Sequence, residues 1–166
     1  IADSTALPEH AVRDIINGAF RSAGQRCSAL RCLYVQEEIA DKLLHMLKGA
    51  MDQLHIGDPW HLSTDVGPVI DAQAHRNIAD YISAARAEAR VLHALPAPAQ
   101  GHFIAPTLWR VDGIAQMTHE VFGPVLHVAT FKSHQLDDVI DAINTTGYGL
   151  TFGLHTRIDD RVQKIV

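Results

Sequence analysis

The sequence predicts an α/β fold, a mainly parallel sheet with flanking helices. Three observations lead there. Apolar residues recur at helical spacing in "LPEHAVRDIINGAF" and again over residues 37–54. Short runs rich in strand formers, "ALRCLYV" and "VLHVATF", stand apart from these helical stretches. The two kinds of segment alternate along the chain, and strands joined through helices pair in parallel with both faces covered.

Each element has its own local signals. Pro8 suits the first turn of a helix whose apolar face is Val12, Ile15, Ile16, Ala19 and Phe20, and Gly24 is a natural stop. "ALRCLYV" reads as a strand. Residues 37–54 form a second amphipathic helix through Ile39, Leu43, Leu44, Leu47, Met51 and Leu54, closed by Gly57 and Pro59. A loop through "STDVGPVID" leads to a third helix near 72–89, then to a short strand at "RVLHA". Pro96, Pro98 and Gly101 mark "LPAPAQGH" as a loop, and Pro106 confines "FIAPTLWRV" to an edge strand or breaks it. After the loop "DGIAQMTHEVFGP" come a strand "VLHVATF", a helix "QLDDVIDAIN", a strand "YGLTFGLHT" and the start of a helix at "IDDRVQKIV". Residue 1 opens inside a strand-like run and the last helix stops in mid-pattern at Val166. Both ends are therefore expected to be cut from something longer.

Composition excludes several classes of function. With 47% hydrophobic and 20% charged residues in 166, the chain is expected to be one soluble globular domain. A net charge of −5 and the lack of a basic stripe argue against nucleic acid, and no apolar run is long enough for a membrane span. Two cysteines five positions apart make no disulfide framework, which points to a reducing, cytoplasmic setting. Eleven histidines raise the question of a metal. No two lie four apart on a predicted helix, and neither HExxH nor zinc-finger spacing occurs, so no metal site is assigned.

The chemistry centres on one thiol. Cys27 stands between a helix and a strand, among Gly24, Gln25, Arg26 and Ser28, which are poor core material. A buried small hydrophobe is the commonest fate of a free cysteine; a nucleophile is the alternative that this setting raises. Cys32, inside the apolar "CLYV", is read as structural.

"GQRCSALR", residues 24–31, resembles the nucleophile motif of the aldehyde dehydrogenase superfamily. "THEVFGPVLHV" (118–128) resembles that family's Glu-x-Phe-Gly-Pro segment, and "NTTGYGLTFGLHT" (144–156) its Asn…Tyr-Gly-Leu segment. "DVGPVID" and "GHFIAPTL" are similar to its connecting blocks, in the family's order. Within the superfamily, "SAGQRCSALR" is most similar to the L-glutamate γ-semialdehyde (pyrroline-carboxylate) dehydrogenases, as in the bifunctional proline utilisation A proteins.

The resemblance implies a mechanism and its residues. A Cys27 thiolate attacks the aldehyde carbon, the adduct gives hydride to NAD, and the thioester left behind is hydrolysed. The backbone N–H of Cys27 serves the oxyanion, and Ser28 the carboxylate end of an amino-acid-derived aldehyde. Glu120 accepts from the nicotinamide ribose, Phe122 packs on the nicotinamide end, and Gly123 and Pro124 are turn residues. Arg26 is read as orienting a substrate anion or the loop, with a solvated arginine as the alternative. Asn144, Tyr148, Gly149 and Leu150 shape the sheet edge without chemistry.

The resemblance also implies what lies elsewhere. Residues 1–166 correspond to the family's catalytic domain, without its cofactor-binding domain and C-terminal segment. No Gly-rich phosphate-binding turn occurs in the chain. The isolated chain is expected to be inactive, not to bind NAD alone, and to associate with itself and with the rest of a parent polypeptide. The rivals are another aldehyde or semialdehyde dehydrogenase, a non-catalytic remnant serving as an interaction module, and a thiol hydrolase using His10 or His119 as base.

Overall fold

Pro8 opens the first helix, α1 (Pro8–Phe20), which buries Ala11, Val12, Ile15, Ala19 and Phe20 along one face. The computed structural model describes every residue, Ile1–Val166. Strand β1 (Cys32–Gln36) follows, and α2 (Glu37–Met51) starts directly on it with Glu37 and Glu38 in the first turn, where carboxylates favour the positive end of the helix. α3 (Ala72–Ala87) is capped by Asp71, whose carboxylate accepts from the Ala74 N–H at 2.7 Å. Then come β2 (Val91–Ala94), β3 (Thr107–Arg110), β4 (Val125–Phe131), α4 (Leu136–Thr145) and α5 (Asp159–Ile165).

The sheet order is β1-β4-β3-β2. β4 pairs in parallel with both β1 and β3, and β2 joins antiparallel to β3. β4 is buried along all but Thr130, the burial expected of a strand covered on both faces. His127 points to Tyr81 of α3, while Val128 and Thr130 share a groove with Leu44 of α2. Successive side chains of a strand face opposite ways, so α3 and α2 lie on opposite faces of the sheet. No helix is long and apolar enough to cross a membrane.

The structure departs from the sequence-based reading at three places, each with a local cause. The third helix stops at Ala87 because Ala89 turns left-handed (φ 54°) and the Arg90 N–H reaches back to the Ala85 carbonyl. The second helix stops at Met51 rather than Leu54, because the Gln53 and Leu54 N–H groups reach back only three residues, to the Ala50 and Met51 carbonyls. At Pro106, which has no N–H for the ladder, the expected break is found, and β3 begins after it as an inner strand. The segment 148–156 is not a strand. Only His155 pairs, by a single bridge to Ala2, and the residues before it have no neighbouring strand to complete a ladder.

Two loops meet where the sheet's parallel strands begin. Gly24 is left-handed (φ 67°), and a Cβ there would stand 2.0 Å from the Gly123 carbonyl oxygen. Gly123 in turn packs closely on α3, because a Cβ there would lie 2.7 Å from Ile78 Cδ1 and 3.1 Å from its Cγ2, so that side chain would have to shift. The chain between Phe20 and β1 is therefore stacked on the loop before β4, and that loop on α3. Gly24→Ala is expected to destabilise the chain by at least about 2 kcal/mol, from backbone strain and overlap together. Gly49→Ala, on an open face of α2 with nothing near its Cβ, should stabilise by about 0.5–1 kcal/mol. Urea unfolding of the two variants checks the pair, and equal midpoints would contradict the close approach.

Candidate active site: the Cys27 cleft

The loop that carries the thiol is strained. After Phe20 the chain passes through three consecutive left-handed residues, Ser22 (φ 56°), Ala23 (φ 52°) and Gly24 (φ 67°). Glycine adopts this conformation freely, whereas each non-glycine residue costs about 1–2 kcal/mol. Gln25 fastens the turn from its far side. Its amide nitrogen donates to the Ser22 and Pro68 carbonyls at 3.2 and 3.3 Å, and its amide oxygen accepts from the Ile70 N–H at 2.8 Å. The Gly-Gln pair thus has a physical reason. Glycine admits the facing backbone, and glutamine ties the turn to the "DVGPVID" loop.

Cys27 and Ser28 follow, both exposed. They open onto a cleft of about 860 Å³ whose wall also includes Glu120 and residues 148–153. No acceptor in the chain engages the Cys27 backbone N–H, so that donor is free beside the thiol. Cys32 lines the same cleft but is mostly covered, and burial pushes its thiol up to about 12.

Arg31 joins the thiol loop to the second motif. Its Nη1 donates to the Gly24 carbonyl at 2.6 Å and Nη2 to the Arg26 carbonyl at 2.9 Å. Its Nε donates to Glu120 Oε1 at 3.1 Å, with the side chains only 12% and 27% exposed. The guanidinium also lies over the Phe122 ring, 4.6 Å from its centre, a cation–π contact. Burial lowers the Arg31 pKa from its ordinary value, the hydrogen bond and charge of Glu120 oppose this, and Arg26 adds a smaller lowering. The guanidinium stays charged throughout. Glu120 keeps its second oxygen, Oε2, free of any partner within the chain.

Sequence reasoning passed over Arg31. The signal available was an arginine directly ahead of an apolar strand, where a charge is half-buried and requires a carboxylate or carbonyls. The residues it did single out are placed unevenly. Cys27, Ser28 and Glu120 share the cleft, as do Tyr148, Gly149 and Leu150. Phe122 is not in the cleft wall; the residue is 45% exposed and its ring carries Arg31. Arg26 is not in the wall either. Its guanidinium donates to the Asn17 and Gly18 carbonyls at 2.9 and 3.3 Å, closing the end of α1. His119 lines the cleft, bonded to the Thr118 hydroxyl, while His10 is outside it, and neither hydrogen-bonds Cys27. No three His, Cys, Asp or Glu side chains gather as a metal centre.

Behind the site, His127 is fully buried in β4. Its Nδ1 lies 2.9 Å from the Arg31 carbonyl, which can only accept, so Nδ1 carries the proton. Nε2 then accepts from the Tyr81 hydroxyl at 2.9 Å. Burial holds the imidazole below its usual 6.5; the bond to Arg31 opposes this, and the charges of Arg31 and His119 add to it. The backbone of Arg31 is therefore fixed from β4 while its side chain fixes the loop.

A thiol with a free backbone donor and a carboxylate, carried by two separate motifs of one family, share one cleft. The model of that family, described as "Aldehyde dehydrogenase family", matches residues 1–166. The chain belongs to the aldehyde dehydrogenase family. It is 48% identical over 173 residues to the bifunctional protein PutA of Escherichia coli, covering 99% of this chain and 13% of that protein. It is 35% identical over 167 residues to 1-pyrroline-5-carboxylate dehydrogenase of Geobacillus kaustophilus, covering 99% of this chain and 32% of that protein. Among solved structures, a bifunctional proline utilization A (PutA) protein matches with a TM-score of 0.95 and 50% identity over 99% of this chain and 17% of the other. Betaine aldehyde dehydrogenase from Staphylococcus aureus in complex with NAD+ matches with 0.88 and 29%, over 99% and 34%. This aldehyde dehydrogenase family chain therefore spans about a third or less of the length of these relatives.

Two outcomes follow for this chain. Iodoacetamide at neutral pH should label Cys27 well before Cys32, which is both covered and held almost wholly as thiol. Peptide mass spectrometry reads the order, and Cys32 reacting first would contradict the loop geometry. The second outcome concerns pH. Unfolded, the His127 imidazole titrates near 6.5; folded, it does so lower. Below that value the unfolded chain takes up a proton that the folded chain does not, so stability falls as pH drops toward the folded pKa. Unfolding free energies between about pH 7 and 5 should show this slope, and His127→Gln should remove its share; an unchanged slope in the variant would contradict it.

Proposed function

We propose that this chain is the thiol-bearing domain of a longer NAD-dependent aldehyde dehydrogenase that oxidises L-glutamate γ-semialdehyde to glutamate in proline breakdown. The observation that carries the proposal is the meeting of an exposed Cys27, its uncommitted N–H and Glu120 on one cleft. The substrate is supported by the likeness to PutA and to 1-pyrroline-5-carboxylate dehydrogenase. It is supported too by an exposed Ser28 hydroxyl beside the thiol, a donor for the substrate's carboxylate.

The chemistry runs on Cys27. Its thiolate adds to the aldehyde carbon, forming a C–S bond and placing negative charge on the former carbonyl oxygen. The Cys27 N–H donates to that oxygen as the charge develops. Loss of hydride from the same carbon restores the C=O bond and leaves a thioester. Water then adds to the thioester, the C–S bond breaks, and glutamate leaves with the thiol regenerated. Sulfur suits both halves, being nucleophilic when ionised and a good leaving group from an acyl carbon.

NAD supplies the hydride acceptor when bound. The residues present fit its nicotinamide ribose. Glu120 borders the cleft with Oε2 unengaged, and one oxygen already held by Arg31 fixes the carboxylate for a ribose hydroxyl. The phosphate-binding contacts are assigned to the rest of the polypeptide. The exposed Tyr148, Leu150 and Phe152 along the cleft fit the association expected of this chain.

The test is NADH production from L-glutamate γ-semialdehyde by the longer polypeptide carrying this sequence. Cys27→Ala should lower turnover by at least about 10³-fold. Glu120→Gln should raise the KM for NAD by about tenfold, with a smaller change in kcat. The 166-residue chain alone should give no aldehyde-dependent NADH. Full turnover in Cys27→Ala would overturn the proposal.

A further inference from the structure

The geometry points to Arg31 as a positioning residue that holds the strained thiol loop in register with the carboxylate of the second motif. The loop from Ser22 to Gly24 occupies left-handed backbone over three residues, two of them not glycine. Such a run persists only where its surroundings over-determine it. Two carbonyls, Gly24 at the end of this run and Arg26 directly before Cys27, accept from the Arg31 guanidinium at 2.6 and 2.9 Å. The third edge of the same planar group donates to Glu120, which lies 89 residues away in the chain. The guanidinium is a rigid fork, so a shift of the carboxylate is carried to both carbonyls.

The far end of Arg31 cannot yield. Its carbonyl accepts from both the backbone N–H and the Nδ1–H of His127, in the buried strand β4. The loop is thus held by a side chain whose own backbone is anchored in the sheet. The placement of Cys27 and the state of Glu120 become one coupled property. Whatever engages Glu120 Oε2 tightens or loosens the loop beside the thiol. This deepens the reading of Cys27 as nucleophile and of Glu120 as its neighbouring carboxylate.

Amide exchange in the folded chain tests it without any turnover. The reporters are the N–H groups of Gln25 and Ala29, which bond to the Ser22 and Arg26 carbonyls, with Val111, bonded to Val128 of β4, as reference. Arg31→Met should speed exchange at Gln25 and Ala29 by at least about tenfold, the loss of one hydrogen bond from a charged donor, and leave Val111 unchanged. Arg31→Lys should fall between, because an ammonium lacks the fork. Glu120→Gln should loosen the same two amides by about threefold or more, and Arg31→Met/Glu120→Gln should match Arg31→Met alone. Glu120→Gln keeps the fold if Arg31→Met does not, and suffices by itself. Unmoved Gln25 and Ala29 in Glu120→Gln, multiplying effects in the double variant, or equal change at Val111 would each overturn the inference. Because no catalysis is measured, its failure leaves the Cys27 reading standing.

Discussion

The contact between the Gly24 and Gly123 backbones is the constraint from which the site follows. It brings a loop that ends α1 against a loop that begins β4, two segments a hundred residues apart, at a separation no side chain could occupy. Ile78 closes the stack from α3. The residues of the thiol motif and of the Glu-x-Phe-Gly-Pro motif are arranged around that junction. Cys27 rides on the first loop, Glu120 and Phe122 on the second, and Arg31 spans the two. The parallel pairing of β1 with β4 supports it, since Cys32 and His127 are register partners just inside the sheet.

Magnitudes explain why the junction holds. Ser22 and Ala23 in left-handed backbone together cost about 2–4 kcal/mol. Two hydrogen bonds from a charged donor contribute about 1.5–3 kcal/mol each, so the Arg31 bonds to Gly24 and Arg26 offset the strain. The balance is close. A loop in such balance stays in place without being rigidly locked, which suits the nucleophile role proposed for Cys27. The interior of a helix or of a paired strand could not present the Cys27 N–H free of partners, because regular structure engages its own donors there. The irregular, strained connection is what leaves that donor available.

Much of this was legible in the sequence, for reasons that differ by element. The amphipathic spacing of Val12, Ile15 and Phe20, and of Leu43, Leu44 and Leu47, is a local property, and those helices appear where it predicts them. β4 appears over Val125–Phe131, the apolar run the sequence marked. Cys27 stood out as a thiol in a polar connection between helix and strand, Ser28 and Glu120 through the family resemblance of their motifs, and the cleft brings the three together. What stayed hidden depends on pairing over distance. The strand expected at 148–156 has the right composition, but a strand needs a neighbour, and only Ala2 supplies one, at His155. Arg26 looked functional beside the cysteine, yet its reach is set by the end of α1, whose Asn17 and Gly18 carbonyls lack helical partners and take its N–H groups.

The contrast between Arg26 and Arg31 shows what decides an arginine's role here. Both flank Cys27 within four positions, and both donate to backbone carbonyls. Arg26 serves the end of one helix and adds nothing between motifs. Arg31 precedes a buried strand, so its stem is covered and its charge needs an acid; only Glu120, delivered by the Gly24–Gly123 contact, answers that need. Desolvation alone would make such a cation unfavourable, and the carboxylate with two carbonyls reverses the balance. The demand is mutual. Glu120 accepts on one oxygen and leaves the other without a partner in the chain, so the pairing that makes Arg31 tolerable also orients the carboxylate beside the thiol. A buried charge, usually a burden on a fold, is thereby what aligns the two halves of the site.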